Sequence, residues 1–210
     1  MQTGSLHIAA STVAKYSASR SLAAFLTVHP GIDARMHVGH RQSLLDRMSE
    51  NADDLYLMMN PPSSDEVVSL RLLPNPIVVV AHAGHPLANE KNIPFARLAK
   101  EPLLVREPGS GTRMTTDRLF REQGLIPAIR MELGSNEAIR ESIRAGLGIS
   151  ILSGYVLEPG LVTLDVEGFP VESYLHLVYP VGKQLSFIAQ SFLDFARKEA
   201  QRMREEAVTA

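Results

Sequence analysis

The chain has 210 residues, 45% of them hydrophobic and 21% charged, with a formal net charge of −2 at pH 7. This composition is typical of a soluble globular protein, and it lacks the basic excess of a nucleic-acid-binding surface. Cysteine is absent, which excludes disulfides and thiolate metal sites and fits a cytoplasmic location. No apolar run approaches the about 18 residues of a transmembrane helix, and the N-terminus does not resemble a signal peptide.

The first half of the chain alternates short apolar runs with segments of helical periodicity. Pro30 and Gly31 mark the end of the first helix, since proline and glycine interrupt helices. The predicted elements are, in chain order, a strand at 6–10, a helix at 14–28, a strand at 34–38, a helix at 43–50, and strands at 54–59 and 77–81.

The second half of the chain repeats this order of elements. Gly146 is predicted to end its second helix, and Gly148 is predicted to allow close packing of the backbone. Its predicted elements are a strand at 103–105, a helix ending at Gly124, a strand at 129–133, a helix at 136–145, strands at 149–152, 161–166 and 175–179, and a last helix capped by Ser186.

Two successive β-α-β-α-β patterns predict an α/β fold of two Rossmann-like subdomains with largely parallel sheets. The predicted boundaries assign residues 1–78 and 179–210 to subdomain I and residues 79–178 to subdomain II. A hinge of two crossing strands near Val79 and Val178 would join them. Because ligands of such sheets bind beyond the carboxyl ends of the strands, we expect a binding cleft between the two lobes.

Small hydroxyl or amide residues follow the strands at three of the predicted strand–helix junctions. A helix that starts there directs unpaired backbone N–H groups at an anion, but the same residues are also ordinary helix caps. Arg113 adds a guanidinium fork suited to carboxylate or phosphate, and Arg41 occupies a similar place in the first lobe. The candidate residues for binding a small anion are Ser11, Thr12, Arg41, Ser110, Gly111, Thr112, Arg113, Ser135 and Asn136.

Other motifs do not favour catalysis, a metal or a nucleotide cofactor. Gly146 and Gly148 lack the third glycine of a dinucleotide fingerprint, and Gly182-Lys183 lacks the rest of a phosphate-binding loop. His82 and His85 lie in a glycine-containing turn without the glutamate of a zinc motif. We therefore expect no cofactor, no metal and no enzymatic activity.

Several short motifs occur in a characteristic order along the chain. They include Gly4-Ser5-Leu6-His7, His29-Pro30-Gly31, His85-Pro86-Leu87-Ala88, Ala145-Gly146-Leu147-Gly148 and Leu185-Ser186. In this order they resemble the effector-binding domain of LysR-type transcriptional regulators over essentially the whole chain. Further motifs resemble regulators of the Calvin-cycle (RuBisCO) operon: Ser11–Tyr16, Val105–Arg113, Glu132–Ile139 and Leu164–Pro170.

The resemblance implies a fold like that of type II periplasmic binding proteins and a cytoplasmic regulator whose N-terminal winged helix-turn-helix lies outside this chain. DNA would be bound only through that absent domain, and the protein would form homodimers or tetramers. The implied effectors are anionic metabolites: ribulose bisphosphate or another phosphorylated sugar, phosphoenolpyruvate or NADPH. A solute-binding protein of a transporter and an anabolic enzyme on the same fold are the alternatives.

Overall fold

The computed structural model of the chain describes residues 3–63 and 65–209, which form two compact units. Unit 1 comprises Met1–Pro74 and Tyr174–Ala210, and unit 2 comprises Asn75–Ser173. The chain therefore passes between the units after Pro74 and after Ser173, a few residues before the boundaries predicted near Val79 and Val178. The shift arises because the neighbouring strands pair along their whole lengths within one unit each.

Unit 1 is a five-stranded sheet with helices packed against it. The strand order is β2-β1-β3-β10-β4, with β1 parallel to β2 and β3, and β10 antiparallel to β3 and β4. Its described elements are β1 (Gly4–Ser11), α1 (Lys15–Val28), β2 (Ile32–Gly39), α2 (Arg41–Ser49), β3 (Leu55–Met58), β4 (Val67–Pro74), β10 (Tyr174–Pro180) and α6 (Phe187–Thr209).

Unit 2 contains the remaining strands and three further helices. Strand β5 pairs antiparallel with both β8 and β9, whereas β6 and β7 are parallel. Its described elements are β5 (Ile77–His82), α3 (Phe95–Leu98), β6 (Leu103–Arg106), α4 (Gly111–Glu122), β7 (Ile129–Leu133), α5 (Asn136–Arg144), β8 (Ser150–Ser153) and β9 (Leu161–Thr163), together with 3-10 turns at Pro86–Asn89 and Gly154–Val156.

The expectation of largely parallel sheets is wrong, because each unit also contains antiparallel pairs. In unit 1 the returning strand β10 enters between β3 and β4 and runs against both. Strand β4 and the short helix α3 were not predicted from the sequence. The other predicted elements are present with shifted ends, and Ser186 caps α6 by accepting a hydrogen bond from the backbone N of Ala189 at 3.1 Å.

Apolar faces of the helices close the core of each unit. In unit 1 the ring of Phe25 on α1 lies 5.2 Å from that of Phe192 on α6, in the edge-on arrangement that aromatic pairs favour. In unit 2 Ile139 and Ile143 of α5 pack with Val80, Leu104 and Leu152 of three strands. Within each unit, the packed helices fix the positions of the loops that follow the strands.

Gly148 approaches a neighbouring backbone closely, as predicted. Its φ is +155°, and a Cβ built there would lie 2.1 Å from the carbonyl oxygen of Pro102. That oxygen also accepts the hydrogen bond of Ile149 N at 2.9 Å. Gly146, by contrast, has a φ of +73° but open space around a built Cβ, which agrees with its predicted role in ending α5.

We predict that Gly148→Ala destabilises the chain far more than Gly146→Ala. The change at Gly146 introduces only left-handed strain of about 1–2 kcal/mol. The change at Gly148 adds a backbone collision and disturbs the Ile149–Pro102 hydrogen bond. Urea unfolding followed by circular dichroism measures both free energies; equal losses would show that the close approach relaxes without cost.

Candidate functional site

Ser11 and Thr12 lie at the carboxyl end of β1, beside the end of the parallel strand β2. Ser11 pairs in register with Gly39, and the backbone N of Thr12 donates to the carbonyl oxygen of Gly39 at 3.0 Å. Ser11 is buried, and its hydroxyl has no hydrogen-bond partner among the residues that the structure describes. An unsatisfied buried hydroxyl is costly, so this oxygen is the strongest indication of a ligand contact in unit 1.

Ser110 begins α4 in unit 2, just beyond the carboxyl end of β6. Its side chain is buried but makes no capping hydrogen bond, although the position is a usual one for such a bond. The adjacent Thr112 is also buried. The first N–H groups of a helix have no acceptor within the helix itself, so this start can receive an anion.

Arg113 is held by groups of its own unit. Its Nε donates to the carboxylate of Asp117 at 2.9 Å, and its Nη1 donates to Glu132 and to the carbonyl oxygen of Arg106, each at 2.9 Å. Burial lowers the pKa of Arg113, but hydrogen bonds to Glu132 and Asp117 more than offset this, so the net shift is upward. The guanidinium is thus charged and positioned, with its Nη2 making no hydrogen bond to a described residue.

Ser135 and Asn136 start α5, and both are engaged within the protein. The hydroxyl of Ser135 accepts a hydrogen bond from Ala138 N at 3.1 Å, as an ordinary helix cap does. The side-chain oxygen of Asn136 accepts one from Nη1 of Arg106 at 2.6 Å. Within unit 2, β6 and β7 are parallel neighbours, and Arg106 pairs with Leu133 where both strands end. The structure therefore brings the starts of α4 and α5 to one edge of the unit.

Arg106 is the central residue of this edge, although it is not among the candidates predicted from the sequence. Its side chain is only 1% exposed, and its Nε and Nη2 donate to the two carboxylate oxygens of Glu107 at 2.7 and 2.8 Å. The signal available in the sequence was a cation that ends an otherwise apolar strand. Its burial, however, depends on Asn136, which lies 30 residues further along the chain.

Arg41 faces a different part of unit 1 from Ser11 and Thr12. Although it starts α2, its Nε donates to the carbonyl oxygen of Asn60 at 2.7 Å, and its side chain lines a cavity along that helix. Burial lowers the pKa of the Arg41 guanidinium, and the charge of Glu66 partly offsets this effect.

His82 and His85 form turns, as predicted. Nδ1 of His82 accepts from Gly84 N at 2.6 Å, and Nδ1 of His85 accepts from Leu87 N at 3.2 Å. Within residues 3–63 and 65–209, no three metal-ligating side chains cluster, and none of the helices is long and apolar enough to cross a membrane.

Comparison with known proteins gives a family match over nearly the whole chain: residues 1–201 match the LysR substrate binding domain. The chain belongs to this family. It is 44% identical over 207 residues to the HTH-type transcriptional activator CmpR of Synechocystis, covering 95% of this chain and 68% of that protein. It is 42% identical over 200 residues to the RuBisCO operon transcriptional regulator of Acidithiobacillus ferrooxidans, covering 93% of this chain and 65% of that protein. The chain thus spans about two thirds of the length of these relatives.

Solved structures of LysR effector domains share the fold. The regulatory domain of Synechocystis CcmR in complex with 2-PG superposes with a TM-score of 0.91 at 38% identity, covering 96% of this chain and 99% of that one. The effector binding domain of QuiR in complex with shikimate gives a TM-score of 0.86 at 20% identity, covering 96% and 99%. The predicted α/β fold of the type II periplasmic-binding-protein kind is confirmed.

The LysR effector domain is therefore the correct interpretation among those considered. The relatives are named as transcriptional regulators and not as enzymes, and the regulators of RuBisCO operons among them agree with the predicted subgroup. The alternatives of a transporter's solute-binding protein and an anabolic enzyme are set aside by the family match.

We predict that Arg106→Met strongly destabilises this LysR domain. The change removes a buried cation and leaves the Asn136 oxygen and the Glu107 carboxylate without their partner, which costs about 3–5 kcal/mol. Arg118→Met is the matched control, because Arg118 forms only a surface pair with Glu122 on α4 and its loss costs at most about 0.5 kcal/mol. Urea titration measures the unfolding free energy of each variant. Equal small losses of unfolding free energy in the two variants would contradict the stabilising role given to Arg106.

Proposed function

We propose that this domain senses a small anionic metabolite of carbon fixation at the helix starts that follow its strands. The proposal rests chiefly on the hydroxyl of Ser11, because it is buried and has no hydrogen-bond partner among the residues that the structure describes, whereas the hydroxyl of Ser135 accepts a capping hydrogen bond. The residues proposed to contact the effector are Ser11, Thr12, Ser110, Gly111, Thr112, Arg113, Ser135 and Asn136.

The donors at these positions favour phosphate and carboxylate groups. Hydroxyls and helix-start N–H groups suit a phosphate, and a guanidinium suits either anion. The Synechocystis CcmR structure, at 38% identity, holds 2-PG. We therefore place 2-phosphoglycolate, which carries both a phosphate and a carboxylate, beside ribulose bisphosphate, phosphoenolpyruvate and NADPH as the effectors to test.

The full-length protein is proposed to bind DNA through a helix-turn-helix outside this chain and to act in the cytoplasm. The naming of relatives as HTH-type regulators, of which the chain spans about two thirds, supports this. We also propose that two copies of the domain pair, as the resemblance to LysR-type regulators implies; exposed apolar side chains such as Val28 of α1, 61% exposed, and Ile129 of β7, 46% exposed, are available for such contacts. The effector would act by its unequal affinity for two arrangements of the paired domains.

We predict that Ser11→Ala weakens effector binding without weakening the fold. Loss of a hydrogen bond to a charged ligand group costs about 1.5–3 kcal/mol, which is about 10- to 150-fold in affinity. Because the hydroxyl has no hydrogen-bond partner among the described residues, its removal should leave the unfolding free energy unchanged or raised. Isothermal titration calorimetry with the four candidate anions measures the first effect, and urea unfolding measures the second.

Ser191→Ala is the matched control for this pair of measurements. The hydroxyl of Ser191 donates to the carbonyl oxygen of Phe187 within α6, so its removal should not change effector affinity. Binding of every anion at wild-type affinity by the Ser11 variant would remove Ser11 from the site. Absence of binding by all four anions would contradict the proposed effector class, while the family assignment would stand.

We predict that Arg113→Ala lowers effector affinity by more at low salt than at high salt. The change removes a cation and also exposes the ligand to the uncompensated carboxylates of Asp117 and Glu132, and salt screens both effects. Arg121→Ala, an exposed cation near the end of the same helix, is the control. Titrations at two salt concentrations measure the effect. If Arg113→Ala binds the effector with the affinity of the wild type at both salt concentrations, Arg113 is not part of the site.

A further inference from the structure

The cavity that Arg41 lines lies wholly within unit 1, along helix α2. Its volume is about 420 Å³, within the range of small-molecule sites. Its walls come from one face of α2, from the segment that follows β3 and from the ends of two strands. The lining residues are Arg41, Leu45, Met48, Ser49, Pro62, Ser63, Glu66, Val67 and Pro180.

Of the candidate effector residues in unit 1, the cavity is lined by Arg41 and not by Ser11 or Thr12, which are the ones kept in the proposed effector site. The cavity extends from Arg41, the first residue of α2, to Ser49, the last one. Its far end meets the first residue of β4 and the last residue of β10, which pair with each other as Val67 and Pro180.

Most of the described wall is apolar, and it carries one cation. Leu45, Met48 and Val67 form a continuous apolar surface, with Met48 and Val67 buried in the fold. The Nε of Arg41 is fixed by its hydrogen bond to Asn60, and the two terminal nitrogens make no hydrogen bond or ion pair with any residue that the structure describes. This guanidinium differs from that of Arg113, whose nitrogens already contact two carboxylates.

Glu66 limits the charge that the cavity accepts. Its exposed carboxylate lines the same wall as Arg41 and attracts it at a distance, without forming an ion pair within 4 Å in the described structure. A second anionic group on a ligand would be repelled by Glu66 and would meet an apolar surface instead of a partner. The arrangement therefore suits a single negative charge joined to an apolar body.

We propose that this cavity binds an organic monocarboxylate with an apolar body. The carboxylate pairs with the terminal nitrogens of Arg41, and the body packs against Leu45, Met48 and Val67. The site is separate from the residues proposed to contact the effector. A result against one of the two proposals therefore leaves the other unaffected.

The test is a titration of the protein, labelled with ¹³C at its methionine methyl groups, followed by NMR. Hexanoate should shift the signal of Met48 in a saturable manner and leave that of Met114, on α4 of unit 2, unchanged. Hexanol, which has a similar body and no charge, should bind at least about tenfold more weakly. Equal binding of hexanol, or no saturable shift of Met48 with hexanoate, would overturn the proposal.

Two variants of the lining residues test the charges. Arg41→Gln should weaken hexanoate binding about tenfold or more, because it removes the cation but keeps a donor for Asn60. Glu66→Gln should tighten it by about two- to fivefold, since the exposed carboxylate repels the ligand through screening solvent. Unchanged affinity in Glu66→Gln would overturn the charge argument even if Arg41→Gln did not fold.

Ser11→Ala separates this site from the effector site. The Met48 response to hexanoate should be the same in that variant as in the wild type, whatever happens to binding of phosphorylated anions. A parallel loss of both responses would show that a single site had been divided wrongly into two.

Discussion

Burial of the Arg106 guanidinium determines the arrangement of the edge of unit 2 that carries the starts of α4 and α5. A buried cation is tolerated only when its hydrogen-bonding groups are satisfied, and here Glu107 takes two of them in a bidentate pair. The Nη1 of Arg106 donates to the side-chain oxygen of Asn136 and thereby ties the start of α5 to the end of β6. The carbonyl oxygen of Arg106 accepts a hydrogen bond from Arg113, so the start of α4 is also tied to the end of β6. The positions of both helix starts thus follow from one desolvated charge.

The candidate serines of this fold differ in how far the protein itself satisfies their hydroxyls. The hydroxyl oxygen of Ser135 already accepts a hydrogen bond from the backbone N of Ala138 as the cap of α5. The hydroxyl of Ser11 is buried without a hydrogen-bond partner among the described residues, which costs free energy that the anion proposed to bind there would recover. A ligand that accepts a hydrogen bond from this hydroxyl removes that free-energy cost, and the gain adds to its binding free energy. A single unsatisfied hydroxyl can therefore contribute to selectivity for anions with a suitably placed acceptor.

Periodicity and turn residues were sufficient to locate most elements, because these signals are local. Strand β7 and the start of α5 lie where they were predicted. Strand β4 was missed because its pairing partner, β10, lies about a hundred residues away in the chain, and an edge strand ending in Pro74 has little pattern of its own. The direction of pairing is equally non-local, so the antiparallel strands could not be inferred. At the site, local residues identified the helix starts, whereas the burial of Arg106 depends on tertiary packing.

The two arginines chosen for similar places in the two lobes have different electrostatic surroundings. Arg113 lies between Asp117 and Glu132, so this cluster of three charges carries a net charge of −1, and an approaching anion meets little attraction from the cluster as a whole. The N–H dipoles of the α4 start and the hydroxyl of Ser110 must then supply most of the attraction, with Arg113 adding direction to one hydrogen bond. Arg41 has no ion-pair partner within 4 Å in the described structure and faces an apolar wall, where its charge is less compensated. Of the two places proposed to bind anions, the start of α4 would therefore attract them mainly through backbone dipoles, and the cavity along α2 mainly through the charge of Arg41.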